Sequence, residues 1–236
     1  NVYHYWFRVK DSFPEAGRDL EIDVTDPFAT SVDWRILAPA LPAPYSAQDR
    51  DPAGIVLFRN GALVPCDAQG ETAPTRNDAT LASLAPNNRL VIYELPTRWT
   101  LNHDESAVEV SVGTFRDVRA LIEPAESGAN FEGVAALEQG RAYLGDLGVN
   151  ALELLPPADS FVGREWGYAT SNYLAPDYDL GFPEGNQSPT AVTDLAALVE
   201  ACHQHGIRFI PDVVMAFATK APNENINFLD FHVRRG

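Results

Sequence analysis

Three short apolar runs set the frame for this chain. Residues 90–95, 149–155 and 207–214 are each of strand length, and the first two stop at proline, at Pro96 and at Pro156-Pro157. Near-continuous apolar runs of this size suit parallel strands covered on both faces. Two helical stripes lie between them. Asn130 is placed as an N-cap; Val134, Leu137, Leu144 and Leu147 then share one side, and Gly148 fits the C′ position. Ser188 is a second N-cap candidate, with Pro189 at the first helical position. Ala191, Leu195, Leu198 and Cys202 repeat at helical spacing, and Gly206 closes that helix. The order strand, helix, strand, helix, strand implies parallel strands joined by right-handed crossovers. A doubly wound sheet and a (β/α)8 barrel both have this pattern. No glycine-rich phosphate fingerprint follows any of the strands, which lowers the odds of a dinucleotide fold. Long loops after the strands suit a barrel, whose function is built from the loops at the C-terminal strand ends.

The first 37 residues read as β. Residues 3–9 alternate with aromatic side chains, residues 20–24 alternate apolar and acidic, and residues 11–17, with Pro14, fit the turn between them. Two strands alone are marginal, so these are expected to need partners that the sequence does not contain. Pro39, Pro42, Pro44 and Pro52 make residues 38–54 read as a linker or wrapped loop. A short strand at 55–58, the hairpin signal Asn60-Gly61 and a return at 62–65 follow. Residues 67–88 are polar and punctuated, with no regular structure assigned. The expected organisation is therefore residues 1–37 as the last strands of a β-sandwich module, 38–88 as linker and irregular segment, and 89–236 as the front of a barrel.

The formal net charge is −16. Such a surface repels phosphate backbones, which argues against nucleic acid as a partner. A neutral, hydroxyl-rich ligand meets no such penalty. No run approaches the ~18 apolar residues of a membrane span. The two cysteines, Cys66 and Cys202, have no metal or redox spacing and are expected as free thiols. They leave the compartment open, with the cytoplasm slightly favoured over secretion. No cofactor and no metal site is expected.

Four motifs stand out: the opening strand Val91-Ile92-Tyr93-Glu94-Leu95; the second strand Leu147-Gly148-Val149-Asn150-Ala151-Leu152-Glu153-Leu154-Leu155-Pro156; the loop Trp166-Gly167-Tyr168 followed by Asn172-Tyr173-Leu174-Ala175-Pro176; and His205-Gly206-Ile207 leading into Asp212-Val213-Val214. Together they resemble the α-amylase superfamily (glycoside hydrolase family 13), most closely its branching, debranching and trehalose-related members. They cover about half of the chain. Tyr3-His4-Tyr5-Trp6-Phe7-Arg8-Val9 and Thr25-Asp26-Pro27-Phe28-Ala29 resemble, more loosely, the last strands of the starch-binding-type β-sandwich (carbohydrate-binding module family 48) that precedes such barrels. The resemblance implies an α/β chain: a partial (β/α)8 TIM barrel, its first three β/α units, preceded by the remnant of a β-sandwich domain. It implies retaining hydrolysis or transglycosylation of α-glucans or α-glucosides, through a covalent glycosyl-enzyme intermediate. The partner is then an oligo- or polysaccharide, together with the missing remainder of the barrel.

The resemblance also assigns roles. Tyr168 matches a tyrosine that stacks on the sugar beside the scissile bond, with Trp166 a packing residue beneath the loop. Asp212, at the end of the third strand, matches a supporting active-site carboxylate. Where the family continues to an Asn-His pair, this chain has Ala216-Phe217. The imidazole and amide contacts to sugar are lost, and Phe217 offers an apolar wall instead. Glu94 and Glu153 are read as structural mid-strand residues, Asp177 and Asp179 as solvated loop or rim groups, and His203 and His205 as too divergent to share a metal. The family's nucleophile, acid/base and third acid lie on later strands, so no catalytic acid is expected in this chain, and the natural polypeptide is expected to continue past Gly236. Two rivals remain: a catalytically silent sugar-binding relative, motivated by Ala216-Phe217, and an unrelated α/β metabolic or interaction domain.

Overall fold

In the computed structural model the described residues are 1–10, 21–41, 50–74, 81–97, 101–104, 107–110, 114–124, 141–160, 168, 170–181 and 190–215, with 101–104 and 107–110 described in backbone only. They form a mixed, sheet-rich α/β chain. The N-terminal part is built on β5 (Pro52–Arg59), which pairs antiparallel with β1 (Val2–Tyr5), β4 (Val32–Leu37) and β6 (Ala62–Val64). The short strand expected at 55–58 is thus the central strand of this sheet, begins earlier at Pro52 inside the segment read as a linker, and gives β1 a partner inside the chain. The expectation that it needs a partner from elsewhere is corrected to that extent. The run of residues 3–9 also divides. Trp6 interrupts it, its indole donating to the Asp51 carbonyl at 3.2 Å, and β2 (Phe7–Lys10) pairs with β3 (Glu21–Val24) instead. Arg8 stands opposite Asp23 in that register and grips its carboxylate at 2.7 and 3.0 Å.

The hairpin β5–β6 turns at Asn60-Gly61, both with positive φ (52° and 83°), as a two-residue turn of the I′ kind requires. Ile55 and Leu57 bury one face of β5 against Cys66, Val2 and Val64. The other face is open. Tyr3, Tyr5, Phe7, Val56, Phe58 and Leu63 line a groove of about 600 Å³.

The second part is a three-stranded parallel sheet in the order β13 (Arg208–Pro211), β10 (Ala151–Leu154), β7 (Ile92–Leu95). Side chains alternate across a strand, so Tyr93, Leu152 and Phe209 share a rung on one face, next to Leu95 and Leu154. That face carries the main core, with Phe115, Val118, Leu121, Leu144, Leu198 and Cys202 packed on it. Asn150 ties the entry to the sheet. Its side chain accepts from the Val91 N–H at 2.7 Å and donates to the Arg89 carbonyl at 3.0 Å, while its own carbonyl accepts from Arg208 at 2.9 Å.

Helix α1 (Phe115–Ala120) escapes the sequence reading because it is short. It is fixed by a capping box in which the Thr114 and Asp117 side chains each accept from the other residue's backbone N–H. Helix α2 (Tyr143–Leu147) ends as expected at a left-handed Gly148, with φ 71°. Leu144 is buried, but Leu147 lies outside the core, so the expected stripe fails at its last member. Its other members and Asn130 lie outside the described residues. Helix α3 (Ala191–Gln204) has Thr190 at its N-cap position, and the candidates Ser188 and Pro189 lie outside the described residues. Thr190 Oγ1 donates to Asp194 within the first turn, and Arg116 reaches the same carboxylate at 2.8 Å, joining α1 to α3. The apolar stripe on α3 packs as expected, and Gly206, with φ 73°, follows it.

The stretch between β10 and α3, expected as loop, contains an antiparallel arm: β11 (Ala158–Ser160) and β12 (Thr170–Pro176). A 3-10 turn at Tyr178–Leu180 returns the chain to Gly181. A Cβ on Gly181 would lie 2.7 Å from the Ala191 backbone nitrogen and 2.8 Å from that of Thr190. Gly181→Ala is expected to lower unfolding free energy by about 1–3 kcal/mol, read from denaturant midpoints. An unchanged midpoint would show that the start of α3 yields without cost.

Candidate functional site

The parallel strands end together, and Asp212 lies at that edge. Asp212 follows β13 directly. Its backbone N–H donates to the Leu154 carbonyl at 2.9 Å, extending the ladder one step past the strand, and its side chain is half-buried. Leu155 makes the matching bond to Leu95 at 3.0 Å. The Pro156-Pro157 pair then turns the chain out of the sheet and into the arm. Tyr168 stands two residues before β12, beside Thr170, which is opposite Ser160 in register. The residue is 44% exposed. No hydrogen bond joins Tyr168 to Asp212 among the described residues. Trp166 and Phe217 lie outside the described residues.

Glu94 and Glu153 sit side by side on one rung with Ile210, on the face of the sheet away from the core helices. Asp177 departs from expectation. It is buried rather than solvated, and its carboxylate accepts from the Asp179 N–H at 2.9 Å, capping the 3-10 turn. His205 faces Glu123 at 3.2 Å rather than a second histidine. No group of three or more His, Cys, Asp or Glu side chains that could hold a metal is present among the described residues. None of the described helices is long and apolar enough to cross a membrane. Both thiols are free and buried, and burial pushes Cys66 up to about 11 and Cys202 up to about 12.

The most developed polar cluster was not legible in the sequence. It lies where the arm meets β4. Asp159 is completely buried, and its carboxylate accepts from the Trp34 indole at 3.0 and 3.3 Å, from the Asn172 amide at 2.7 Å and from the Tyr178 backbone N–H at 3.3 Å. Burial raises this carboxyl to about 7 despite those three donors, and Asp179 adds to the rise. One residue from Trp34, the equally buried Asp33 accepts from the Tyr178 hydroxyl at 3.0 Å, from the Arg35 side chain at 2.8–2.9 Å and from the Arg35 N–H at 3.0 Å. Ala29, Val32, Trp34, Ala175 and Tyr178 pack around these bonds. Farther along, Thr193 of α3 donates to Asp67 at 3.0 Å. The only sequence signal for this cluster is an isolated aspartate after two prolines, which is a common loop pattern.

No protein-family model matches the chain. Among curated proteins it is 29% identical to the isoamylase of Pseudomonas amyloderamosa over 209 residues, which is 80% of this chain and 23% of that protein. It is 28% identical over 172 residues to the 1,4-alpha-glucan branching enzyme GlgB of Rhodopseudomonas palustris (strain HaA2), covering 67% of this chain and 22% of the enzyme. It is 32% identical over 142 residues to the pullulanase of Bacillus subtilis (strain 168), covering 56% and 18%. Among solved structures, GBS pullulanase SAP in complex with maltotetraose superposes with a TM-score of 0.51 at 20% identity, over 89% of this chain and 24% of that one. These matches show that the chain is similar to enzymes of the α-amylase superfamily, glycoside hydrolase family 13, and in this chain an N-terminal sheet precedes the parallel strands. Within that family its relatives are branching and debranching enzymes, and it spans less than a quarter of the length of the first of them.

Proposed function

We propose that this chain forms the front of a carbohydrate-active enzyme that hydrolyses or rearranges α-glucans with retention at the anomeric carbon. The observation that carries the reading is the sequential parallel trio β7, β10, β13, from whose C-terminal edge both Asp212 and the arm that leads to Tyr168 emerge. Function in a (β/α)8 barrel is built at that edge, and this reading takes the trio as the first three strands of one. The relatives' names add the substrate class: a branching enzyme of 1,4-alpha-glucan, and a pullulanase solved with maltotetraose. In the proposed division of labour Tyr168 stacks on a glucose face, Phe217 walls the pocket, and Asp212 and Trp166 support the site. The catalytic acids lie on strands encoded past residue 236. The proposed organisation keeps a β-sandwich module before the barrel but extends it through β6, since β5 and β6 belong to its sheet. The charge of −16 suits a neutral saccharide and opposes a polyanion.

Ala216-Phe217 favours a second reading, a relative that holds glucan without cleaving it. Reading the codons past Gly236 separates the two: an Arg-x-Asp strand followed by a later Glu supports the enzyme, and their absence supports the binder. Both readings predict that Tyr168→Ala weakens maltotetraose binding about tenfold, of the order of ~1–2 kcal/mol for a lost aromatic contact, while Tyr168→Phe stays near the parent. Calorimetric titration of the full chain checks this. Equal affinity in the alanine variant would remove Tyr168 from the site.

A further inference from the structure

We infer that Asp159 is a positioning residue, a buried proton-linked lock that docks the arm leading to Tyr168 onto the N-terminal sheet. Its part in glucan binding rests on the function proposed above; the lock itself does not. Asp159 lies on β11, opposite Asn172 of β12, and its carboxylate is the group through which the arm reaches the Trp34 indole of β4. Thr170, Ser171 and Asn172, the part of β12 nearest Tyr168, are buried with it. A shift of the arm off β4 therefore moves the backbone that carries Tyr168.

The surroundings of Asp159 favour its neutral form. The groups that bond it are an indole, an amide and a backbone N–H, and no cation is among them. The charged groups on the packed elements are Asp177 and Asp179 at the 3-10 turn and, on β4, Asp33 with Arg35; Arg35 and His4 of β1 are both engaged by Asp33. The Tyr178 hydroxyl is also bound to Asp33. The Arg35 guanidinium is thus committed to the other carboxylate. A buried charge without a countercharge is costly, and burial accordingly raises the carboxyl to about 7. A neutral carboxyl needs an acceptor for its proton. Asn172 Oδ1 is buried without a partner. A half-turn of that amide, whose two ends X-ray density itself rarely distinguishes, presents Oδ1 to the Asp159 hydroxyl.

The docked arm therefore binds the proton more tightly than any state in which Asp159 meets water. Protonation favours docking, and raising the pH through neutrality weakens it. The test is hydrogen exchange of the arm amides in the full chain, corrected for intrinsic exchange, at pH 5.5 and pH 8. Wild-type protection over 158–176 is expected to fall at least about tenfold between the two, and Asp159→Asn is expected to show no such change. Trp34→Phe, which loses one donor but keeps the acid, is expected to be less protected at both pH values and still pH-dependent. Pairing these runs with maltotetraose titrations links lock to site: wild-type affinity should follow arm protection, and the affinity of Asp159→Asn should not. A flat wild-type profile, or the same pH response in Asp159→Asn, overturns the lock. If the lock titrates but the wild type does not bind maltotetraose, the lock stands and the glucan reading fails.

Discussion

Asp33→Ala is expected to lower the unfolding free energy by about 3 kcal/mol, the low end of what removing one partner of a buried ion pair costs. Asp33 is fully buried and joins three elements. It holds Arg35 on its own strand, His4 on β1 at 3.3 Å, and the Tyr178 hydroxyl from the far side of the junction. Burial by itself would raise this carboxyl. The Arg35 side chain and N–H, helped by the Tyr178 hydroxyl, outweigh burial and hold it below its ordinary range. Alanine leaves the Tyr178 hydroxyl and the Arg35 fork to find water. Arg35 is 40% exposed and can do so, which is why the loss sits at the low end. Tyr178→Phe removes the hydroxyl's bond to Asp33 and is expected to cost about 1 kcal/mol. Denaturant unfolding of the three proteins checks the order, and a loss below ~1 kcal/mol for Asp33→Ala would mean that water replaces the carboxylate freely.

This junction also explains what the sequence did and did not disclose. The parallel strands were legible because each is a dense apolar run, and the signals for ends and turns were local: Gly148, Gly206 and Asn60-Gly61 each adopt the positive φ that their placement requires. The arm was not legible. β11 has three residues, Ala-Asp-Ser, and β12 opens Thr-Ser-Asn. Neither alternates, because both are held by a polar cluster whose partners come from far along the chain. The Trp34–Asp159 pair spans 125 positions and the Tyr178–Asp33 pair spans 145. Separations of that size leave no periodic trace. β5 was legible only from residue 55, because Pro52 and Gly54 punctuate its start; in space Gly54 lies under the Tyr5 ring, which a Cβ would approach to 3.0 Å. Of the candidate site, the family motifs supplied Tyr168 and Asp212, and geometry supplied the residues that connect the arm to the N-terminal sheet.

The second large effect is a pH dependence of stability with the sign opposite to that of an ion-paired aspartate such as Asp33. Folding raises the Asp159 carboxyl from its ordinary 3.8 to about 7, chiefly through burial. Between those two values the unfolded chain has released a proton that the folded chain still holds. Stability from this group is therefore complete below pH 4, declines as pH rises, and is lost once pH passes 7. A shift of that size corresponds to about 4 kcal/mol. Asp33 acts in the other direction. Its carboxyl is lowered, so its contribution is present above the ordinary carboxylate range and disappears on acidification. The two groups share Tyr178 and bound a window of greatest stability on the acid side of neutrality. Subtracting the profile of Asp159→Asn isolates the first of them. Relative to that variant, the wild type should lose about 4 kcal/mol between pH 4 and pH 8, with most of the change complete by pH 7. A parallel pair of profiles would mean that water or a cation reaches Asp159 in the folded chain, and that its hydrogen bonds from Trp34 and Asn172 hold a carboxylate at every pH.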